Sequence, residues 1–231
     1  MLELTSVSAF YGNSCAIKNI DLSVGSGEFI SIIGRNGVGK TSLMRAIIGL
    51  MDRITGSIML DDIEINKFKT HERAKAGIGY VPQGRGILPR FTVRENLTVG
   101  TFASNEKKDE INEWIYELFP ILKEFLNRPG GDLSGGQQQQ LAIGRALLTQ
   151  PKVILLDEPT EGIQPNIVEK IEEVLIDLNN NHGMTIVLVE QNVEFARRAS
   201  QLFAILDNGY VAAEGKINTL TDDLVHKHLS V

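Results

Sequence analysis

The hydrophobic positions in the first third of the chain predict strands. Apolar residues alternate imperfectly with polar ones over residues 2–9, and further apolar runs occupy residues 17–24 and 28–33. The last of these runs leads directly into glycines, which is typical of a buried strand that feeds a loop. A helix is expected over residues 40–49, and short strands are expected on either side of the turn at Asp61 and Asp62.

The middle of the chain changes to helical periodicity. Thr92 with Glu95, and Ser134 with Gln137, fit the capping box, in which a hydroxyl residue is followed three positions later by Glu or Gln. Between these two signals, apolar residues recur at helical spacing: Ile111, Trp114, Ile115, Leu118 and Leu122. We therefore predict that residues 87–151 form a mainly helical subdomain inserted into the core, with Trp114 in its interior.

The last third returns to alternating elements. Buried-strand runs at residues 153–156 and 184–189 are separated by a helix that begins near Pro165. A further strand at residues 201–207 ends in Asn208-Gly209, which is a strong hairpin signal. Strands that alternate with helices predict an α/β fold, with a mostly parallel sheet that carries helices on its faces.

Composition narrows the class of protein. A chain of 231 residues with 42% hydrophobic residues is long enough for one globular core with an inserted subdomain. The net charge of −6 argues against a general nucleic-acid binder. Cys15 is the one cysteine, which excludes an internal disulfide framework, and we expect it to be a small buried residue. The four histidines lie in polar or terminal surroundings, so we expect surface residues and no zinc site.

The start of the chain, Met1 to Thr5, lacks the basic segment and apolar core of a signal peptide. No apolar run approaches the roughly 18 residues that span a bilayer. We therefore expect a protein that stays in the cytoplasm and meets a membrane only through a partner.

A complete phosphate-binding loop, G-x-x-x-x-G-K-[ST], follows the strand at residues 28–33 and opens a helix. Its glycines let backbone N–H groups surround phosphate oxygens, and the helix N-terminus adds positive potential. Lys40 is expected at the β- and γ-phosphates of a nucleotide, and the Thr41 hydroxyl at Mg²⁺. The predicted nucleotide-binding residues of this segment are Gly34, Arg35, Asn36, Gly37, Val38, Gly39, Lys40, Thr41 and Ser42.

Two carboxylates follow the apolar strand at residues 153–156, at the end where α/β sheets place ligands. Asp157 is suited to the Mg²⁺ shell, and Glu158 is suited to polarise the attacking water. A third motif begins at Ser134, at a helix N-terminus with free backbone donors. It is an ordinary helix cap or a second anion cradle, and the latter makes sense if it faces the nucleotide of another subunit.

With these motifs the sequence resembles the ATP-binding subunits of ABC transporters. The resemblance implies a P-loop NTPase (RecA-like) core with an N-terminal antiparallel β subdomain and a helical subdomain. It places Tyr11 against the adenine and Gln83 beside Mg²⁺ and water. It also implies that a short set of residues reaches the partner subunit's nucleotide: Ser134, Gly135, Gly136 and Gln137.

Within that family, the phosphate loop, the Gln83 segment and the motifs at residues 131–140 and 158–165 look like the urea-type branch, which belongs with branched-chain amino acid uptake ATPases. Two positions depart from the broad family: Gln191 stands at the switch histidine, and Gln164 at the usual aspartate of the D-loop. Gln191 retains hydrogen-bonding capacity without charge, and is expected at the γ-phosphate. Both replacements suit the branched-chain subgroup, which the resemblance implies works as a pair of unlike ATPases.

The resemblance implies an ATPase that uses ATP and Mg²⁺ to power import of urea or a short amide. The alternatives are import of a branched-chain amino acid and a soluble ABC ATPase of DNA repair or translation. The latter usually carries long coiled-coil insertions or two cassettes. Expected partners are two transmembrane permease subunits, a second, unlike ABC ATPase and, indirectly, a solute-binding protein, with no nucleic acid. The expected location is the cytoplasmic face of the membrane.

Overall fold

The computed structural model describes residues 1–103 and 111–229. In chain order the strands are β1 (Leu2–Tyr11), β2 (Ser14–Val24), β3 (Phe29–Ile33), β4 (Arg53–Leu60), β5 (Ile63–Glu64), β6 (Ile78–Val81), β7 (Val153–Asp157), β8 (Thr185–Glu190), β9 (Leu202–Asp207) and β10 (Tyr210–Lys216). The α-helices are α1 (Lys40–Ile48), α2 (Thr70–Ala76), α3 (Val93–Thr101), α4 (Trp114–Leu118), α5 (Pro120–Glu124), α6 (Gly135–Leu147), α7 (Pro165–Asn180), α8 (Val193–Ala199) and α9 (Asp222–Leu229).

An antiparallel sheet with the order β2-β1-β4-β5 forms the N-terminal part of the fold. The pairing of β1 with β2 shifts between Leu4 and Val7 and again before and after Ala9. Such bulges put an extra residue into one strand and change which face the next side chain meets. They explain why apolar residues alternate imperfectly along β1.

A second sheet, with the order β10-β9-β3-β8-β7-β6, forms the centre of the molecule. Its strands are parallel except for β10, which pairs antiparallel with β9. The predicted hairpin joins these two strands, with φ of 47° at Asn208 and 83° at Gly209. Left-handed backbone at both turn positions matches the twist of the paired strands, which confirms the turn prediction.

The central strands β3, β7 and β8 are buried along their whole length because both faces of the sheet are covered. Val153 and Leu155 of β7 pack into a core shared with α1 and the antiparallel sheet. Ile154 and Leu156 pack into a second core, shared with helices α3 to α7. The α/β fold predicted from the alternating elements is thus confirmed.

Helix α1 ends at Gly49, which has φ 77°, as the sequence predicts. The sequence did not indicate that Arg73 of α2 completes this end. The Arg73 guanidinium is buried and donates 2.8 Å hydrogen bonds to the Ala46 and Ile47 carbonyls. Burial lowers the pKa of Arg73. The contact gives the Ile47 carbonyl a donor and adds a second donor to the Ala46 carbonyl, which also accepts from the Gly49 N–H, at the end where a helix leaves carbonyls unpaired.

Helices α3 to α6 lie between β6 and β7. Both predicted capping boxes are formed: Thr92 Oγ1 accepts from the Glu95 N–H (3.2 Å), and Ser134 Oγ from that of Gln137 (3.4 Å). Ile115 is buried, whereas Trp114 is half-buried and its ring lies 5.1 Å from that of His182. Trp114 is therefore at the edge of its core rather than inside it. The division of residues 87–151 from the rest as a separate subdomain stays a prediction.

Within the described parts of the chain, the helices are all too short or too polar to cross a bilayer.

Candidate functional site

The phosphate-binding loop connects buried strand β3 to helix α1, and two of its glycines are required by close backbone contacts. A Cβ atom on Gly34 would lie 2.5 Å from the carbonyl oxygen of Leu206. Gly39 has φ 108°, and a Cβ there would lie 3.0 Å from the Ala16 carbonyl oxygen. The approach at Gly34 is shorter than real side chains make, and the left-handed backbone at Gly39 is one that residues with side chains rarely adopt. The loop conformation therefore depends on strands β2 and β9 as well as on its own residues.

Helix α1 opens towards a cavity of about 500 Å³. Its N-cap is Gly39, so no side chain caps the helix. The first N–H groups of a helix have no acceptor within the helix, and they carry the positive end of its dipole. These donors line the cavity at Gly39, Lys40, Thr41 and Ser42. The arrangement fits a bound phosphate group.

Lys40 provides the positive charge of this cavity. Only 4% of its side chain is exposed, and Nζ donates to the carbonyl oxygens of Gly34 (2.8 Å) and Arg35 (2.9 Å). Nζ also lies 3.1 Å from Glu158 Oε1, so the two residues form a buried ion pair. The ammonium group is consequently held inside the loop, against the wall that carries Glu158.

Asp157 ends strand β7 beside the start of α1. Its carboxylate accepts hydrogen bonds from Thr41 Oγ1 (3.2 Å) and from the Tyr80 hydroxyl (3.4 Å). Burial raises the pKa of Asp157, which the hydrogen bond from Thr41 opposes. Burial and the neighbouring Asp157 also raise the pKa of Tyr80. The carboxylate and hydroxyl oxygens are hard donors of the kind that Mg²⁺ prefers, so the pair fits this ion.

Glu158 lines the cavity although only 8% of the residue is exposed. Its backbone has φ 47°, an unusual conformation for a residue with a side chain. Gln83 Nε2 lies 3.3 Å from Glu158 Oε2 and donates a 2.8 Å hydrogen bond to Glu161. The structure thus brings together five residues from three separate segments of sequence: Lys40, Thr41, Gln83, Asp157 and Glu158.

Tyr11 and Gln191, which the resemblance places at the nucleotide, are not among the residues that line this cavity. Tyr11 is 39% exposed, and its hydroxyl accepts from Arg45 Nη1 at 3.3 Å. This hydrogen bond with Tyr11 raises the pKa of Arg45. Gln191 is exposed, and its N–H donates to the Glu190 carboxylate at 3.1 Å. Their assigned roles stay predictions.

The motif at the start of α6 lies at a different surface. Ser134 and Gln137 line a groove of about 720 Å³ together with Gln164. A Cβ atom on Gly136 would lie 2.5 Å from Cγ2 of Ile167, so this glycine is needed for α6 to approach α7. A Cβ on Gly135 would lie 2.8 Å from Nη2 of Arg85. The described lining of the phosphate cavity includes none of these residues.

The cavity wall also includes residues that the motifs did not indicate: Cys15, Ala16, Asn208 and Gly209. The Gly209 N–H donates to the Val38 carbonyl at 2.9 Å, so the hairpin turn fastens the phosphate loop. The Asn-Gly pair signals its turn in the sequence, but nothing there indicates what the turn touches. Cys15 is half-buried at the cavity wall, with Sγ 3.2 Å from the Ile17 carbonyl, rather than fully buried as expected.

Comparison with known proteins agrees with this site. Residues 17–161 match the family described as ABC transporter. The chain is 38% identical over 218 residues to the high-affinity branched-chain amino acid transport ATP-binding protein BraG of Pseudomonas aeruginosa, covering 94% of this chain and 91% of that protein. It is 34% identical to the probable branched-chain amino acid transport ATP-binding protein LivF of Archaeoglobus fulgidus, covering 96% and 94%.

A solved structure extends the comparison. The dimeric post-hydrolysis ATP-binding cassette MJ0796, bound to ADP and phosphate, superposes with a TM-score of 0.83 at 31% identity. The match covers 94% of this chain and 99% of that one. These similarities agree with the phosphate loop and with the carboxylates at the end of β7. This chain therefore belongs to the ABC transporter family and is an ATP-binding, ATP-hydrolysing subunit.

Proposed function

We propose that this chain powers the import of branched-chain amino acids. The observation that carries ATP hydrolysis is the buried pair Lys40–Glu158, which lines one cavity with Thr41, the hydroxyl that donates to Asp157. The transported solute is proposed from similarity. The relatives BraG and LivF are both described as branched-chain amino acid transport proteins, and each is covered almost end to end. They favour this solute over the urea or short amide that the motifs suggested.

Each residue of the cavity has a role in this proposal. Lys40 and the N–H groups of the loop bind the β- and γ-phosphates, where the cation offsets developing negative charge. Thr41, Asp157 and Gln83 supply oxygen atoms for Mg²⁺, which would neutralise the phosphate oxygens when bound. Glu158 orients a water molecule for in-line attack and accepts its proton. The unusual backbone of Glu158 aims its carboxylate into the cavity.

The site is completed by a second subunit in this proposal. Ser134 and its neighbours stand at the start of α6 and line a groove whose described lining shares no residue with the phosphate cavity of their own chain. The capping box occupies the N–H groups of Ser134 and Gln137, so those of Gly135 and Gly136 are the donors that suit a γ-phosphate bound by the partner. The dimeric state of MJ0796 supports the pairing. Because Gln191 and Gln164 replace groups that symmetric members use, we propose that the second ATPase is unlike this chain.

Two transmembrane permease subunits are the proposed membrane partners, since the relatives serve transport. The chain would lie at the cytoplasmic face as a peripheral subunit, with a solute-binding protein acting indirectly. A soluble ABC ATPase of DNA repair or translation is the rival function. Co-purification with membrane subunits from detergent extracts distinguishes the two, because the rival predicts a protein recovered without them.

The solute is tested by ATPase stimulation in the reconstituted complex with its solute-binding protein. Leucine, isoleucine or valine should raise turnover, while urea and acetamide at the same concentration should not. Complexes carrying Lys40→Ala serve as the matched control for contaminating ATPases. Stimulation by urea with none by the three amino acids would return the assignment to the urea branch.

A further inference from the structure

Glu190 is a buried acid that none of the proposed nucleotide contacts uses. It ends strand β8, only 4% of it is exposed, and the described lining of the nucleotide cavity does not include it. Burying a carboxylate is costly unless hydrogen-bond donors surround it. Here Thr160 donates from its hydroxyl (2.7 Å) and its N–H (3.3 Å) to Oε1, and Gln191 donates its N–H (3.1 Å) to Oε2.

These contacts join two segments far apart in sequence. Thr160 lies two residues after Glu158, and Gln191 follows β8, at the position where the family resemblance places a residue that meets the γ-phosphate. One carboxylate therefore holds the loop that follows β7 and the segment that follows β8 in a fixed relation. Hydrogen bonds to an ionised acceptor are the stronger kind and have well-defined geometry.

The loop after β7 needs such support because Glu158 has a left-handed backbone, with φ 47°. Residues with side chains keep this conformation only where their surroundings enforce it. On one side, the Glu158 N–H donates to the Val189 carbonyl at 2.9 Å. On the other side, Thr160 is bound to Glu190. Adjacent residues of β8 thus hold Glu158 from both directions.

We propose that Glu190 is a positioning residue for ATP hydrolysis, fixing the Glu158 carboxylate relative to the phosphate loop and to Gln191. The inference rests on the proposed role of Glu158. Glu190 touches the loop that carries the base rather than the loop that binds phosphates. Its loss should therefore lower kcat and leave the binding of Mg-ATP unchanged.

The test uses four single variants of this chain, each assembled with its unlike partner ATPase, whose own phosphate loop is disabled so that turnover reports this chain's site. Glu190→Gln keeps an acceptor for Thr160 but turns an amide N–H₂ group towards one of the N–H donors. Thr160→Val removes the hydroxyl at constant shape, and Thr160→Ser restores it. Glu169→Gln removes an exposed carboxylate of α7 and serves as the control. The measurements are kcat and KM for Mg-ATP, the dissociation constant for Mg-ATP, and hydrogen–deuterium exchange of peptides covering residues 157–161.

We expect Glu190→Gln to lower kcat by about 10²-fold, which is the usual cost of displacing a catalytic group by about 1 Å. The dissociation constant for Mg-ATP should stay within about twofold, since the phosphate loop is untouched. Exchange in residues 157–161 should become faster. Thr160→Val should behave similarly, and Thr160→Ser should keep most of the turnover that Thr160→Val loses. The double variant Glu190→Gln with Thr160→Val should lose less turnover than the product of the two single losses, because both changes break the same contact.

The proposal is overturned if Glu190→Gln keeps wild-type kcat, or if kcat and Mg-ATP affinity fall together with the melting temperature, as for a purely structural residue. If Glu190→Gln does not fold, Thr160→Val and Thr160→Ser decide by the same criteria. Glu158→Gln separates the two levels of inference. A fully active Glu158→Gln refutes the proposed role of Glu158. An inactive Glu158→Gln with a fully active Glu190→Gln refutes only the role of Glu190.

Discussion

Replacing Lys40 tests the phosphate cavity most directly. Its ammonium group is held by the Gly34 and Arg35 carbonyls, at 2.8 and 2.9 Å, and by Glu158 at 3.1 Å. In Lys40→Ala, the nucleotide loses charge-assisted contacts worth about 1.5–3 kcal/mol each. Two such contacts, one to each of two phosphates, predict Mg-ATP binding weaker by about 10² to 10⁴-fold, at about 1.4 kcal/mol per factor of ten.

The same substitution affects the protein without nucleotide. The side chains of Lys40 and Glu158 are only 4% and 6% exposed, so removing the cation leaves a buried carboxylate without its partner. Breaking a buried pair in this way costs about 3–5 kcal/mol of the free energy of unfolding. Glu158→Gln in the Lys40→Ala background should recover much of that loss, because the amide needs no counterion. Lys40→Met keeps most of the length of the side chain but removes its charge. It therefore separates the effect of lost packing from the effect of lost charge.

The assays are titration calorimetry with Mg-ATP and urea denaturation of five proteins: the wild type, Lys40→Ala, Lys40→Met, Glu158→Gln and the double variant Lys40→Ala with Glu158→Gln. Lys40→Ala and Lys40→Met should bind Mg-ATP almost equally weakly, since the charge carries the effect. The reasoning fails if Lys40→Ala binds Mg-ATP as tightly as the wild type. It also fails in its second part if Glu158→Gln destabilises the Lys40→Ala protein as much as it does the wild type.

Three further outcomes are expected. Glu158→Gln should bind ATP yet hydrolyse it very slowly, so that paired ATPase subunits accumulate in gel filtration with Mg-ATP; wild-type turnover would contradict its role as base. In a mixed dimer with one phosphate loop disabled at a time, Ser134→Arg should suppress single-site turnover at the partner's nucleotide, and this chain alone should be a poor ATPase because Gln191 lacks imidazole chemistry. Strong turnover by the homodimer that an added partner leaves unchanged would refute that asymmetry. Burial raises the pKa of Glu190, so the unfolded chain loses this proton first as pH rises. As the pH rises from the ordinary to the raised pKa of Glu190, the free energy of unfolding of the wild type should therefore fall relative to that of Glu190→Gln. A difference between the two proteins that stays constant with pH in urea titrations would rule this out.

The sequence alone was sufficient for elements whose signals are local. The phosphate loop is contiguous, and the strand before it and the helix after it are visible as an apolar run and a helical segment. Both capping boxes and the Asn208-Gly209 turn also depend on residues a few positions apart. Asp157 and Glu158 follow a buried strand, and parallel strands end at one edge of a sheet. Their meeting with the loop could therefore be predicted.

The tertiary structure decided the contacts between residues that lie far apart in the chain. The order β10-β9-β3-β8-β7-β6 places the hairpin turn against the phosphate loop and Tyr80 against Asp157. Glu190 is an ordinary polar residue at a strand end until the fold buries it against Thr160. No local pattern encodes these pairings, because they depend on strand order and register. Those in turn are set by the packing of both faces of the sheet at once, and a shift of one residue would send each side chain to the opposite face.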